Sequence, residues 1–537
     1  MRAWVGWIVV IAGVLGPLQL RAQNQTLVLE GGTLIDGTGR APINDAVIVI
    51  DGSRIRAVGS RGQVSYPANA RVIRTDGRTI LPGLIDAHVH LRDYMPQMFL
   101  RYGVTTVADT HDPTVWSLAQ RDAINSGKIR GPRTFVSGER AANTREGNPP
   151  SMPLQTVDEA RAYVRKLIAM GVDVIKVDLS LSYDQLRAVV EETTAAGLSV
   201  VGHSQNIRKA AEVGLKYMEH TNTLTMAILE AMGRTARETP DQRGADIALM
   251  DTTLFPSLIE FMVKQGVYVN PTLAAQWRSS TPRGPEWAAA AAKIVQDPGL
   301  AFVPADVRES WTKPDSRAPN REGYAKMAEF VRRYAEAGGK VVSATDAGFM
   351  PGLSMHYEMQ MVADIGVPPM KVIQGATLWA AESFGKAKDL GSVEAGKLAD
   401  VIVIDGNPLN DIATTQNIRM VIKDGHVLDT TYDPRFVNPL PRPVDFAPQL
   451  STLSPRVTPQ GSRNVTLQIE GTGFGPKSVV RFDNTDLRTQ FVSTTRLTAT
   501  LDARLLRNVG TYTVYVLNQG HPGSVSNGVY FLVNFSD

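Results

Sequence analysis

The chain has 537 residues, of which 43% are hydrophobic and 20% charged, a composition typical of a globular protein with about two to four domains. Its net charge of +3, from 56 basic and 53 acidic side chains, argues against a nucleic-acid or membrane-surface partner, because those partners need concentrated basic patches. Because the chain has no cysteine, disulfides and thiolate metal ligands are excluded. Any metal site must use histidine, carboxylates or rarer donors, which favours borderline-to-hard divalent ions.

Residues 1–22 predict a secretory signal peptide. Arg2 precedes an uncharged, largely apolar stretch at residues 3–20, and Ala22 precedes polar sequence. A positive start, an apolar run and a small residue are typical of a signal that is cleaved on export. A retained membrane anchor is the alternative, but Pro17 breaks a run that is marginal against the ~20 apolar residues of a membrane span. We therefore expect an exported protein, periplasmic or extracellular, without stable membrane insertion.

Strand-like segments flank the middle of the chain on both sides. Residues 27–80 alternate short apolar runs with turn signals, and a similar pattern returns at residues 399–425. Apolar runs separated by tight turns predict antiparallel strands. We predict that residues 23–82 and 391–437 assemble one small β-sandwich domain from both sides of the central region.

Residues 83–390 predict a (β/α)₈ TIM barrel. Apolar runs such as residues 172–177 and 198–201 each precede a helical pattern, and this alternation continues through the whole region. Repeated βα units over this length fit a barrel, which usually needs about 250 residues. An open, doubly wound sheet is the alternative, but no glycine-rich phosphate loop follows the first strand.

A second all-β region follows the barrel. The Pro-rich residues 439–443 are a linker candidate, and apolar and polar residues alternate through much of residues 449–537. About ninety residues with this pattern predict an immunoglobulin-like β-sandwich.

Several histidines lie at the carboxyl ends of predicted strands, where barrel enzymes have their active sites. Four of the eight histidines, together with one aspartate, follow predicted barrel strands: His88, His90, His203, His220 and Asp346. His88 and His90 are two residues apart on an extended segment, so both rings face the same side and can reach one ion. A lone histidine at a strand end is more often a hydrogen-bonded structural residue. Five such side chains converging on one barrel mouth predict a metal site.

Lys176 lies on one of these strands. Alternation places Val172, Val174 and Lys176 on one face of residues 172–177. An unpaired ammonium inside a barrel is costly, and burial lowers the lysine pKa so that a neutral amine becomes available. A neutral amine can add carbon dioxide and become a carbamate, a carboxylate-like ligand able to bridge two cations. An exposed or salt-bridged structural lysine is the alternative, and the pattern alone does not decide between them.

A set of short motifs resembles the amidohydrolase superfamily. The segment LPGLIDAHVHL at residues 81–91 closely resembles its opening motif. The likeness continues in YGVTT (102–106), GVDVIK (171–176), VGH (201–203), MEH (218–220), NPTL (270–273), ATDA (344–347), GAT (375–377), GSVEAGKLADV (391–401) and DGNPL (405–409). It covers residues 27–428 and is strongest with the secreted prolidase and imidazolonepropionase-like branch. Residues 449–537 resemble the IPT/TIG immunoglobulin-like module through LSP (453–455), IEGTGF (469–474) and GTYTV (510–514), for which we expect a non-catalytic role.

The resemblance implies a binuclear metal centre. In that branch Lys176 would be carboxylated and bridge two divalent ions. His88, His90 and Asp346 would hold the more buried ion, and His203 and His220 would hold the second. Zinc is the default for imidazole and carboxylate-like ligands, with manganese or cobalt as alternatives.

This ligand set predicts a hydrolase of a small-molecule amide (C–N) bond, in a dipeptide, an N-acyl amino acid or a cyclic amide. Two ions lower the pKa of a water that they share. Asp346 can accept the proton of that water and pass it to the leaving amine. Ester, lactone or phosphotriester hydrolysis at the same site is one alternative. A non-enzymatic binding protein is another, which loss of a metal ligand would favour, and none is lost.

The residues that face the substrate are less well determined by the sequence. His356 and Tyr357, in a predicted loop, are candidate substrate contacts, with a loop pair of no ligand role as the alternative. Arg92 and Arg145 could hold a substrate carboxylate by bidentate pairing, or could be surface charges. Departures from the branch, such as Thr221 after His220, also fall in substrate-facing loops and leave the substrate open. The sequence is also compatible with an oligomer.

Overall fold

The computed structural model describes residues 25–143, 154–234, 246–313, 319–346, 349–440, 448–483, 485–518 and 526–535. The predicted signal peptide, Arg145 and residues 441–443 of the predicted linker lie outside these ranges. Within them, no helix combines the length and apolar character that crossing a membrane requires.

The strands are, in chain order, β1 (Leu27–Leu34), β2 (Ile43–Asp51), β3 (Arg54–Ser60), β4 (Arg71–Arg74), β5 (Arg78–Pro82), β6 (Leu84–Val89), β7 (Val104–Asp109), β8 (Arg133–Val136), β9 (Val174–Val177), β10 (Ser199–Gly202), β11 (Tyr217–Glu219), β12 (Tyr268–Asn270), β13 (Lys340–Val341), β14 (Val401–Asp405), β15 (Ile418–Lys423), β16 (His426–Val427), β17 (Gln449–Ser454), β18 (Val457–Pro459), β19 (Val465–Thr472), β20 (Ser478–Phe482), β21 (Thr485–Asp486), β22 (Arg488–Ser493), β23 (Arg496–Leu501), β24 (Gly510–Asn518) and β25 (Val529–Asn534).

The described helices are, in the same order, α1 (Pro96–Arg101), α2 (Thr114–Asn125), α3 (Val157–Met170), α4 (Tyr183–Ala195), α5 (Ile207–Glu212), α6 (Asn222–Ala231), α7 (Phe255–Lys264), α8 (Leu273–Gln276), α9 (Gly284–Ile294), α10 (Ala305–Thr312), α11 (Arg321–Glu336), α12 (Leu353–Asp364), α13 (Pro369–Gly375) and α14 (Leu378–Ser383).

Strands from both sides of the central region meet in one eight-stranded sheet. Its order is β16-β15-β14-β5-β1-β2-β3, with β4 also paired to β1. The two flanking segments join where β14 pairs antiparallel with β5, for example at Val403 and Ile80. The first four residues of β1 pair with β4 and its last two pair with β5. Strand β1 therefore joins both strands into one hydrogen-bonded sheet. Buried apolar side chains from both segments form one core.

The central strands close into a barrel of parallel strands. The sets β6-β7-β8 and β13-β12-β11-β10-β9 are each paired in parallel. Between β8 and β9 the backbone N–H of Asp173 donates to the carbonyl of Val136 at 2.8 Å. Between β13 and β6 the N–H of Asp346 donates to the carbonyl of His88 at 2.9 Å. These two seams complete the ring, so the (β/α)₈ prediction is confirmed and an open sheet is excluded.

A buried carboxyl group holds the second of these seams together. Asp86 accepts from the backbone N–H of Thr345 at 3.0 Å and from its hydroxyl at 2.6 Å. Burial raises the pKa of Asp86 to about 7, against the opposing effect of these hydrogen bonds. Because His88 and Asp346 lie within two residues of this contact, it fixes their strand ends against each other.

Helix termini set where the site-bearing strands begin. Thr156 and Glu159 form a reciprocal capping box at the start of α3, which ends at Gly171 in the left-handed conformation (φ +89°). Three residues later β9 begins and carries Lys176 into the barrel. Gly202 approaches β9 so closely that a Cβ there would lie 2.2 Å from the Val177 carbonyl oxygen. Glycine therefore lets β10 deliver His203 next to Lys176.

The C-terminal region is a sandwich, as predicted. One sheet has the order β17-β19-β23-β22 and the other β18-β25-β24-β20-β21. Inward-facing residues of both sheets, including Leu467, Val480 and Phe531, form a separate buried core.

The segment that follows the eight-stranded sheet lies on the barrel. The Trp116 indole N–H donates to the Leu440 carbonyl at 3.0 Å, and the Asn438 amide donates to the Asp93 carbonyl at 3.0 Å. Phe436 and Leu440 pack against a small apolar cluster that includes Ile124. The described part of the predicted linker is therefore fixed against the first barrel units.

Candidate metal centre

The structure brings the six predicted ligands to one end of the barrel. Because the strands are parallel, their carboxyl ends meet at a single mouth. His88 lies in β6 with His90 just beyond it, Lys176 lies in β9, and His203 and His220 directly follow β10 and β11. Asp346 lies five residues after β13.

His88, His90 and Asp346 form the tightest group. The Nε2 atoms of the two histidines are 3.4 Å apart, and Asp346 Oδ1 lies 3.4 Å from His88 Nε2 and 3.0 Å from His90 Nε2. One ligand atom from each residue lies within 4.8 Å of the others. His88 is buried, whereas the side chains of His90 and Asp346 are 29% and 27% exposed. These three residues could hold one divalent ion that remains accessible from the mouth.

His203 and His220 lie beside this group. Their ring centroids are 4.7 Å apart, and the His220 centroid lies 5.1 Å from that of His88. Within the described residues, the buried Nε2 atom of His203 has no hydrogen-bond partner. A buried imidazole nitrogen that faces other ligands without a partner is costly. A cation would satisfy it, so these side chains fit a divalent metal.

Burial sets the protonation states that metal binding needs. It lowers the pKa of His88, and it lowers the pKa values of His203 and His220 well below the usual range. For Asp346, burial alone would raise the pKa, but the neighbouring His88 and His90 side chains hold it well below its usual range. These shifts favour neutral imidazoles at His88, His203 and His220 and an ionised carboxylate at Asp346, the forms in which these side chains bind metals.

Lys176 is buried on the inner face, with 2% of its side chain exposed. Burial lowers the pKa of Lys176 to about 7. The exposed alternative is therefore wrong for this lysine. Its Nζ contacts the carboxylate of Glu219, so the structure places an acidic partner beside it and leaves carboxylation of the amine as a prediction.

Glu219 is a site residue that the sequence analysis missed. Its Oε1 lies 3.0 Å from His88 Nδ1, while its Oε2 contacts Lys176 and lies 3.7 Å from His203 Nε2. The side chain is only 4% exposed. Strand alternation could have found it, because Tyr217 and Glu219 share the inward face of β11.

His220 is oriented by the loop after β12. The Thr272 hydroxyl donates to the Pro271 carbonyl at 2.9 Å, so the His220 Nδ1–H donates to Thr272 Oγ1 at 2.5 Å. This tautomer leaves Nε2 of His220 with a free lone pair for a ligand. The buried Glu358 side chain in α12 accepts from the Ala274 N–H at 2.7 Å, in the short helix α8 that follows this loop.

Three residues at the site have a left-handed backbone conformation. His220, Thr272 and Asp346 have φ values of +62°, +46° and +55°, a region that non-glycine residues rarely adopt. Each such residue costs on the order of 1–3 kcal/mol and persists where surrounding contacts over-determine it. Residues with this conformational cost are often found at functional sites.

A second acidic group lies behind His90. His90, Asp109 and Asp112 each offer a ligand atom within 4.8 Å of the others. Asp109 Oδ1 accepts from the Leu91 N–H at 3.2 Å, and Asp112 lies 3.7 Å from the Arg92 guanidinium. Arg92, a predicted carboxylate holder, therefore pairs with a carboxylate of its own chain.

The prediction for His356 and Tyr357 is wrong in its local structure. Both lie in helix α12 and are buried, rather than lying in a loop. The His356 Nε2–H donates to the Tyr102 carbonyl at 2.9 Å, and Nδ1 pairs with the Thr415 hydroxyl at 2.9 Å. Tyr357 stacks on Trp287, with ring centroids 4.4 Å apart. Both side chains pack in the core, which favours the alternative of no ligand role.

We expect His356→Gln to leave kcat/KM unchanged while changing the pH dependence of stability. Burial lowers the pKa of His356 to about 4 from the usual 6.5. Between these values only the unfolded chain binds the proton, so stability falls as pH falls from 6.5 to about 4, by up to about 1.4 kcal/mol per pH unit. The variant should be less stable at pH 7.5 and lose that part of the slope. Thermal unfolding at several pH values measures both, and a selective rise in KM would contradict the structural role.

Two family models match the chain. Residues 79–428 match the amidohydrolase family and residues 448–533 match the IPT/TIG domain. The chain belongs to the amidohydrolase family. This membership confirms the predicted superfamily and the prediction of a hydrolase that acts on carbon–nitrogen bonds. The amidohydrolase match includes every predicted ligand of the metal centre.

This amidohydrolase is similar to several curated proteins. It is 25% identical over 491 residues to ochratoxinase from Aspergillus niger, covering 75% of this chain and 88% of that protein. It is 23% identical over 411 residues to imidazolonepropionase from Streptomyces griseus, covering 71% and 90%.

Solved structures share the fold of this amidohydrolase. A Xaa-Pro dipeptidase with bound methionine superimposes with a TM-score of 0.55 at 24% identity, covering 75% of this chain and all of the other. The Aspergillus niger ochratoxinase structure gives a TM-score of 0.55 at 20% identity, covering 77% and 99%. These likenesses support the barrel architecture.

Proposed function

We propose that this amidohydrolase cleaves the amide bond of a small molecule, using two divalent ions held at the barrel mouth. The observation that carries the proposal is the grouping of His88, His90 and Asp346 within ligand distance. His203, His220 and buried Lys176 border the same group.

The proposed ligand roles follow from this placement. His88, His90 and Asp346 would hold one ion, and His203 and His220 the other. Lys176, as a carbamate, would be shared between them. Zinc suits imidazole with carboxylate-like oxygen, and manganese or cobalt would also fit. When bound, the ions would acidify a water molecule and polarise the substrate carbonyl.

Asp346 is the proposed proton carrier. Its carboxylate is ionised and in part solvent-accessible, so it can accept a proton from the attacking water. The same oxygen can then deliver that proton to the nitrogen of the leaving amine. Its contacts with His88 and His90 keep the carboxylate directed at the site.

For the substrate, we propose an N-acyl amino acid, a dipeptide or a cyclic amide. Relatives named ochratoxinase, Xaa-Pro dipeptidase and imidazolonepropionase support this class. We also propose that residues 1–22 direct export and that the IPT/TIG domain has a non-catalytic role outside the cytoplasm.

Matched amide and ester substrates with the same acyl group test the bond specificity. We expect the wild-type enzyme to hydrolyse N-acyl amino acids or dipeptides, with a kcat/KM that Asp346→Asn lowers by about 10³-fold. Hydrolysis restricted to esters, lactones or phosphotriesters would overturn the amide proposal and assign the site to those bonds.

A further inference from the structure

Glu219 is the buried acidic residue at the centre of the ligand set, yet none of the roles proposed above uses it. Its two carboxylate oxygens face different partners. Oε1 lies 3.0 Å from His88 Nδ1, and Oε2 contacts Lys176 Nζ. All three side chains are 4% exposed or less, so water does not compete for these contacts.

The contact with His88 decides which ring nitrogen can bind a metal. A carboxylate has no hydrogen to donate, so Glu219 beside Nδ1 favours the His88 tautomer that carries its proton on that nitrogen. The Nε2 atom then keeps its lone pair, and this atom faces His90 and Asp346. Carboxylate–histidine pairs of this kind fix both the tautomer and the ring orientation of a metal ligand.

The contact with Lys176 orients the proposed bridging ligand. The lysine nitrogen keeps at least one N–H as an ammonium, as an amine or after addition of carbon dioxide. Each form therefore needs an acceptor in this buried position. Glu219 Oε2 is beside that nitrogen, and the neighbouring His203 Nε2 is 3.7 Å from the same oxygen.

We infer that Glu219 is a positioning residue of the metal centre: its carboxylate lies against His88 through one oxygen and against Lys176 through the other, and so orients both ligands. This inference rests on the proposed function. It assigns to Glu219 the retention and geometry of the ions rather than contact with the substrate.

Glu219→Gln is the main test because it keeps the size of the side chain. The amide oxygen can still accept from one partner, but the amide NH₂ group cannot accept from the other. Glu219 also lines a small cavity in the barrel interior with Tyr217, Tyr268 and Asn270, so Glu219→Ala enlarges that cavity and risks misfolding. Glu382→Gln is the matched control. The Glu382 carboxylate pairs with Lys340 and Tyr268, which lie at the amino ends of β13 and β12, at the end of the barrel opposite the metal centre.

Metal binding is measured by equilibrium dialysis against Zn²⁺ and by the visible absorption spectrum of the Co²⁺-loaded protein. We expect Glu219→Gln to weaken binding of at least one ion by about 10- to 100-fold and to change the Co²⁺ spectrum. Glu382→Gln should leave both unchanged. A packing role alone predicts that the isosteric Gln variant matches the wild type.

Wild-type affinity and an unaltered Co²⁺ spectrum in Glu219→Gln would overturn the inference while leaving the proposed function intact. A wild-type protein that binds no ion under the same conditions would overturn the proposed function, and this inference with it.

Discussion

Asp346→Asn is expected to lower kcat/KM for the best amide substrate by about 10³-fold, within the 10²–10⁴ range of general acid–base catalysis. Asparagine keeps the shape of the side chain but cannot accept the proton of the attacking water. It also weakens the contacts with His88 and His90, which lie at 3.4 Å and 3.0 Å in the structure. Steady-state kinetics with saturating metal separate the loss of the proton carrier from a loss of bound ion.

Asp364→Asn is the matched control for this change. Asp364 pairs with Arg283 on the surface of α12, and such partly exposed pairs contribute about 0–1 kcal/mol. We expect this variant to keep wild-type kcat. Substantial amide hydrolysis by Asp346→Asn at saturating metal would remove Asp346 from the proton-carrier role.

Lys176→Met is expected to reduce the metal content from two ions per chain to one and to lower kcat/KM by at least about 10²-fold. Methionine fills nearly the same space, but its thioether cannot form a carbamate. The change also removes the N–H group beside Glu219, and a buried acceptor left without a donor costs on the order of 1–3 kcal/mol. Metal analysis of the purified variant and its thermal unfolding measure the two effects.

Lys176→Ala adds a rescue experiment. The space that it vacates can admit a short carboxylate such as acetate or propionate, which would supply the oxygens of the missing carbamate. We expect these anions to restore part of the activity, whereas Lys216→Ala, at the start of β11, should bind two ions without help. Retention of two ions by both Lys176 variants would refute the bridging role.

The sequence predicts the main ligands because strand order imposes simple geometry. Each of His88, His203 and His220 ends or follows a short apolar run, and parallel strands place such ends at one mouth. Alternation also predicts the inward direction of Lys176, which the structure confirms.

Contacts between distant strands were harder to predict. The partners of Glu219 are His88 in β6, Lys176 in β9 and His203 directly after β10. No spacing pattern in the sequence indicates that these side chains meet. The buried Asp86–Thr345 seam depends on closure of the barrel over more than 250 residues of chain. Such contacts can be identified only from the closed barrel.

His356 shows where a predicted loop proved to be a helix. The chain turns at residues 349–352, and α12 begins directly afterwards at Leu353. The helix buries nearly all of its first three turns, including His356 and Tyr357. The sequence analysis places the pair in a loop, whereas the packing of α12 buries both side chains in the core.

The most direct test of the account is metal content measured together with amide hydrolysis. Chelation of the purified full-length protein should abolish hydrolysis, and adding back Zn²⁺, Mn²⁺ or Co²⁺ should restore it as binding approaches two ions per chain. Fewer than one bound ion per chain, with no hydrolysis of dipeptides or N-acyl amino acids after metal loading, would contradict it.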